Sequence, residues 1–258
     1  MHSPSIFITG AAAGIGRATA KRFAARGWRV GLYDVDGVGV QQLCDELGGA
    51  AVCGTLNVTD AAAFAAAVDA FCAPVDGRLD VLFNNAGILS VGAFESIGVV
   101  RHHAIIDVNI KGVINGSLAG LPHLSKVSGS RLINMSSASA IYGSPDYASY
   151  SASKFAVKGL SEALDIEWQR HGIRVMDVLP LFVNTAMVTD IEQPQSIAKL
   201  GVHLSAEDIA ETVWTAAQWR GYRRVHWYPG WRTRLTALAD KLGPSWLNRA
   251  VVARLSGY

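Results

Sequence analysis

The 258-residue sequence predicts an α/β fold, a doubly wound parallel β-sheet with helices on both faces. Three observations carry this expectation. Short β-branched runs alternate with longer helical patterns. Glycines cluster where the first apolar run meets the first helical pattern, and a carboxylate ends the second apolar run. Half the residues are hydrophobic and only 17% are charged, so the chain can bury a sizeable core and a disordered chain is excluded.

Taken in order, Ser5–Thr9 reads as a strand. Ile15 to about Arg26 reads as a helix with Ile15, Ala18 and Phe23 near one face. Arg29–Tyr33 is a second strand, Val38–Leu47 a helix, and Ala50–Leu56 a third strand. Ala61–Cys72 is a helix by alanine propensity alone. Val81–Phe83, Arg131–Met135 and Arg174–Val178 continue the strands, with long helical stretches at 99–124 and 148–170 between them. A seventh strand is expected near Arg223–Tyr228. There is no internal repeat and no linker rich in Pro, Gly or Ser, so residues 1–258 are expected to form a single domain. Residues 181–205 are its least periodic part, a candidate substrate loop, and 229–258 form a C-terminal helical extension.

Global properties narrow the function classes. A net charge of +2 gives no reason to expect nucleic acid. Cys44, Cys53 and Cys72 are odd in number and lack ligand spacing, so they read as thiols of a reducing compartment. The seven His are scattered, so no metal is expected. The N-terminal residues lack a basic segment followed by a long apolar stretch, and no run approaches the roughly 18 apolar residues of a membrane span. A cytoplasmic protein is expected.

Gly10-Ala11-Ala12-Ala13-Gly14-Ile15-Gly16 lies between the first strand and the first helix. Without Cβ atoms the backbone turns tightly and approaches a ligand, while the helix N-terminus presents unpaired N–H groups to a pyrophosphate. A glycine turn with no ligand is the bland alternative; the strand–turn–helix context argues for the dinucleotide. Asp34 ends the second strand, where its carboxylate can take the two hydroxyls of an adenosine ribose. A Rossmann-like, NAD-binding domain follows. Tyr150 and Lys154 are four residues apart on one predicted helix, so both side chains reach one ligand. A free phenol, with a pKa near 10, is a poor base at neutral pH. An ammonium about 4 Å away favours phenolate by up to roughly 4 kcal/mol at an effective dielectric of 20, before desolvation opposes it. Lys154 is therefore expected to bring Tyr150 toward working pH as a general acid/base.

Thr9-Gly10-x-x-x-Gly14-Ile15-Gly16, Asn84-Asn85-Ala86-Gly87 and Tyr150-Ser-Ala-Ser-Lys154 together resemble the short-chain dehydrogenase/reductase family, over about Ser5 to Thr185. The resemblance implies a catalytic tetrad of Asn109, Ser137, Tyr150 and Lys154. Ser137 would orient the substrate oxygen, with Ser136 as a look-alike neighbour. Asn109 would support a water and proton relay behind Lys154. It further implies cofactor contacts from Gly10, Gly14, Ile15, Gly16, Asp34, Asn57, Val58, Asn85, Ala86, Gly87, Tyr150, Lys154, Pro180, Val183 and Thr185. Two departures stand out: Asn57-Val58 replaces the common Asp-Val, and Pro180-Leu181 replaces Pro-Gly, which puts the local loop shape in question. The helices at 99–124 and 148–170 look like those that pair subunits in the family, so a homodimer or homotetramer is expected.

The resulting expectation is an NAD-dependent oxidoreductase that interconverts a hydrophobic secondary alcohol, steroid-like or aromatic, and its ketone. Competing readings are an NADPH-dependent carbonyl or 3-ketoacyl reductase and a non-catalytic dinucleotide-sensing protein. Asp34 speaks against the first and the Ser137, Tyr150 and Lys154 set against the second. The apolar substrate is read from Ile88, Leu89, Val91 and Phe94, from Ile141 and Tyr142, and from Leu181, Phe182, Met187, Val188, Ile191, Ile197 and Leu200. These segments offer almost no Arg or Lys to bind an anionic substrate. The extension carries Leu235, Leu238, Leu242, Trp246, Leu247, Val251 and Leu255 with basic residues around them. Packing on the protein body or across a dimer is favoured; covering the pocket or touching a membrane surface is the sharper alternative.

Overall fold

The computed structural model describes residues 3–184, 201 and 203–258. Among these, a seven-stranded parallel sheet runs in the order β3-β2-β1-β4-β5-β6-β9, and β7 and β8 pair separately. The strands are β1 (Ser5–Thr9), β2 (Arg29–Asp34), β3 (Ala51–Thr55), β4 (Val81–Asn84), β5 (Arg131–Met135), β6 (Arg174–Val178), β7 (Val183–Asn184), β8 (Leu204–Ser205) and β9 (His226–Trp227). The α-helices are α1 (Gly14–Ala24), α2 (Gly37–Leu47), α3 (Ala61–Cys72), α4 (Val99–Ile106), α5 (Gly112–Leu124), α6 (Ala148–Glu167), α7 (Ala206–Gln218), α8 (Gly230–Leu242) and α9 (Ser245–Ser256). The expected doubly wound, Rossmann-like architecture is what the chain adopts.

Every residue of β1, β4 and β5 is buried, as strands covered on both faces require. Successive side chains alternate between two cores. Ile6 and Ile8 join Phe23, Leu32, Leu43, Ile209 and Val213 on one face. Phe7 joins Phe64, Phe71, Leu82, Leu132 and Trp168 on the other. Phe7 pairs with Gly31 in the β1–β2 register, and its ring stacks on the diagonal neighbour Tyr33 with centroids 4.3 Å apart. On α1 the inward face is Gly16, Thr19, Ala20 and Phe23. The expected Ala18 is only half-buried, because the core-facing positions fall at intervals of three and four counted from Gly16.

The long stretch at 99–124 is not one regular helix. Asp107–Lys111 forms a π-helical segment between α4 and α5, with Asn109 fully buried in it. Such segments re-aim side chains and recur at functional sites. The predicted seventh strand shortens to His226–Trp227, which pair with Asp177 and Val178. The order reverses at β1, whose neighbours are β2 and β4, so the chain leaves the carboxyl ends of these strands toward opposite faces. A crevice opens there, where ligands bind in such sheets.

Candidate functional site

A cleft of about 500 Å³ lies at the carboxyl ends of the strands. Its floor is the turn after β1. Gly14 holds φ +51, in the left-handed region that favours glycine. A Cβ on Gly16 would lie 2.0 Å from the Gly10 carbonyl oxygen, so this position is closed to any side chain. Gly10, Gly14 and Ile15 line the cleft, while Gly16 sits beneath it. The first turn of α1 has no side-chain cap, which leaves its amide donors directed at the cleft. Asn85 locks this turn from β4: its amide donates to the carbonyls of Thr9 (3.0 Å) and Gly10 (3.1 Å). Thr9 Oγ1 accepts from the backbone of Asn85 and Ala86, both at 3.1 Å.

Asp34 stands on the cleft wall at the end of β2. One carboxylate oxygen accepts from Ala12 N at 3.1 Å and the other from Asp36 N at 3.1 Å. The carboxylate thus braces the glycine turn as well as facing the cleft. Asn57 and Val58 also line it. The Asn57 side-chain oxygen already accepts from Thr59 N (3.1 Å) and Thr59 Oγ1 (2.9 Å). For that oxygen the expected cofactor contact is therefore in competition with a local turn, and the amide nitrogen is the group left to offer.

Farther along the cleft, Ala86, Gly87, Ser137, Tyr150 and Lys154 come together from β4, β5 and α6. Ser137, not Ser136, has its hydroxyl close enough to the Tyr150 phenol to draw its pKa down. Ser136 turns its hydroxyl to the Lys154 carbonyl, 3.1 Å away. Lys154 is buried; its Nζ donates to Met135 O at 2.8 Å and lies 5.5 Å from the Tyr150 ring centre. Asn109 Oδ1 accepts from Ile88 N at 2.8 Å, and its amide donates to Ile88 O (2.9 Å) and Ser153 Oγ (3.0 Å). Ser153 in turn donates to Tyr150 O at 2.7 Å. Asn109 stands behind the cleft and connects its wall to α6. Sequence reasoning missed Ser153; the only signal was its place between Tyr150 and Lys154.

For Tyr150, desolvation opposes the stabilisation of phenolate expected from Lys154. Burial pushes its phenol above the ordinary value, and the Ser137 hydroxyl only partly pulls it back. Burial brings the Lys154 ammonium down to about 8, and one of its N–H groups donates to Met135 O.

Pro180, Leu181 and Val183 line the cleft, and Pro180 O accepts from Ala138 N at 2.8 Å. Among the described residues, only Asp76 and Asp146 combine a side chain with positive φ, so Leu181 is accommodated without left-handed backbone. Thr185, Met187, Val188, Ile191, Ile197 and Leu200 lie outside the described residues, as does most of the expected substrate loop. Of the expected apolar residues, Ile88, Leu89, Ile141, Tyr142 and Phe182 line the cleft. Phe94 does not. It is 58% exposed, with its ring centre 4.5 Å from that of His102. Val91 packs against Tyr147 instead of facing the cleft. Its far wall comes from the extension: Thr236 of α8, and Val252, Leu255 and Ser256 of α9.

A family model described as short chain dehydrogenase matches residues 4–196. The chain belongs to the short-chain dehydrogenase/reductase family. Among its relatives, cyclohexanol dehydrogenase of Acinetobacter sp. is 31% identical over 80% of this chain and 84% of its own. D-threitol dehydrogenase of Mycolicibacterium smegmatis is 34% identical over 70% of each chain. The solved 3-ketoacyl-(acyl-carrier-protein) reductase of Brucella melitensis, complexed with NADH, is 30% identical over 89% of this chain and 98% of its own, with a TM-score of 0.80.

Proposed function

We propose that this protein is an NAD-dependent dehydrogenase that interconverts an apolar secondary alcohol and its ketone. The observation that carries the substrate class is the cleft lining. Beyond Tyr150 the wall is Leu89, Ile141, Tyr147, Phe182, Val252 and Leu255, and the charged side chains among all the described lining residues are Asp34 and Lys154. An anionic substrate would meet no guanidinium there. The uncapped turn of α1, the closed position at Gly16 and the Asp34 carboxylate fit a dinucleotide, the cofactor class bound to the Brucella relative. When bound, such a cofactor supplies a hydride acceptor. Tyr150 takes the hydroxyl proton onto its phenolate oxygen during oxidation and returns it during reduction, while Ser137 holds the reacting oxygen. Asn109 and Ser153 fix α6 relative to Ile88, and so position Tyr150 and Lys154.

The test is NADH production from a panel of cyclohexanols, steroid and aryl secondary alcohols, short polyols, sugar phosphates and hydroxyacyl thioesters. Apolar cyclic or aromatic alcohols are expected to give the highest kcat/KM. If polyols, as the name of the Mycolicibacterium relative indicates for that protein, beat every apolar alcohol, the substrate assignment is wrong. Ile114 and Leu118 of α5 and Phe155 and Ile166 of α6 are exposed, which supports self-association through these two helices. Sedimentation velocity should then give a mass of at least two chains; a single-chain mass at micromolar concentration would overturn this.

A further inference from the structure

We infer that α8 and α9 form an interfacial surface that docks the protein on an anionic phospholipid bilayer, with the outer wall of the cleft at the contact. The outer side of α8 carries Trp231, Leu235, Leu238 and Leu242, spaced by four, three and four residues and therefore on one face. They are 66%, 53%, 52% and 74% exposed. The opposite side holds the buried Thr233 and the cleft-lining Thr236. On α9 the arrangement repeats. Val252, Leu255 and Ser256 face the cleft, while Trp246, Leu247 and Val251 are exposed. Asn248 fixes the two helices together by donating to the Asp240 carbonyl (3.0 Å) and carboxylate (3.1 Å).

Single exposed leucines need no explanation, but seven large apolar side chains on the outer faces of two linked helices do. Their charge setting selects the partner. Residues 230–258 hold Arg232, Arg234, Lys241, Arg249 and Arg254 against one acidic side chain, Asp240, whereas the chain as a whole is only +2. A cationic rim around an apolar face rich in Trp and Leu matches an interface where acyl chains meet anionic headgroups. A second copy of the chain would bring the same cationic rim against itself. Two tryptophans, amphipathic rings suited to the headgroup level, complete the pattern. Docked in this way, the helices that close the cleft touch the phase in which apolar alcohols concentrate. That substrate route rests on the function proposed above; the docking does not.

The full-length protein is sedimented with vesicles of phosphatidylglycerol and phosphatidylcholine in equal parts, and with vesicles of phosphatidylcholine alone. Tighter binding to the anionic vesicles by about tenfold or more is expected, weakening as salt rises. Trp emission should shift to shorter wavelength on binding, and the shift should be lost in Trp231→Phe/Trp246→Phe. Leu235→Glu/Leu238→Glu should abolish binding, and Lys241→Glu/Arg249→Glu should remove the preference for anionic lipid while leaving the apolar face intact. All four sites are exposed, and the second pair keeps the test valid if the first misfolds. Equal or absent binding to both vesicle types overturns the inference. So does a fall in sedimentation mass of the leucine variant where the wild type ignores lipid, since the face would then be a contact between copies. No substrate or cofactor is present in these measurements, so a failed alcohol screen and a failed docking are read separately.

Discussion

Replacing Tyr150 by Phe is expected to lower kcat for the preferred alcohol by about two to four decades, the range for losing a general acid/base. The substitution removes one oxygen and leaves the ring in place. That ring lies against Tyr147 and Lys154, with centroids 6.4 Å apart in the first case. Cofactor affinity, read by fluorescence titration with NADH, should change little. The pH profile carries the sign of the same argument. Burial holds the Tyr150 phenol above its ordinary value, so phenolate is scarce at neutral pH. Oxidation, which needs phenolate, should therefore gain kcat/KM as pH rises. Reduction, which needs the neutral phenol, should hold level at neutral pH and fall on the alkaline side. Near-normal turnover in Tyr150→Phe, or oxidation that peaks in acid, would remove Tyr150 from the reaction.

The sequence disclosed those parts of the molecule that local physics controls. The turn from Gly10 to Gly16 is legible because excluded volume acts between residues six apart, and the Tyr150–Lys154 pair because one helical turn sets their spacing. The strand runs are legible because burial on both faces forces continuous apolar stretches. Long-range placement was not legible. The apolar extension, Leu255 included, allowed a cover for the pocket as one alternative, but nothing local to Val252 and Leu255 selects that over packing elsewhere. The hydrogen bond of 2.8 Å from Tyr258 to Asp146, across 112 residues, has no local signature either. The same limit applies to Phe94 and to Lys154. Phe94 follows an apolar run, yet the short 3-10 turn at Phe94–Ser96 sends its ring out to His102. Lys154 is correctly spaced from Tyr150, but its hydrogen bond to the Met135 carbonyl and the burial shared by both groups are set by distant parts of the chain. Asn109 is intermediate: its residue type was readable, while the π-helical segment that turns its amide toward Ile88 and Ser153 was not.

Asp34 should give at least a tenfold preference for NAD over NADP in kcat/KM. A 2′-phosphate bound at the end of β2 would place like charges near one another. At about 4 Å and an effective dielectric of 20 that repulsion reaches roughly 4 kcal/mol. Asp34 is only half-buried, so solvent and side-chain movement reduce it, and about 1.4 kcal/mol already suffices for the tenfold preference. The structure also decides which substitution is informative. Asp34→Ala removes the charge together with the acceptors for Ala12 N and Asp36 N, so it should loosen the glycine turn and weaken both cofactors. Asp34→Asn keeps the shape and one acceptor oxygen while discarding the charge. It should therefore narrow the gap mainly by raising kcat/KM for NADP, with NAD declining through the lost ribose contact. A wild-type enzyme that prefers NADP would overturn the role given to Asp34. If Asp34→Asn leaves the ratio unchanged while Asp34→Ala depresses both cofactors alike, the carboxylate serves the turn and not cofactor choice.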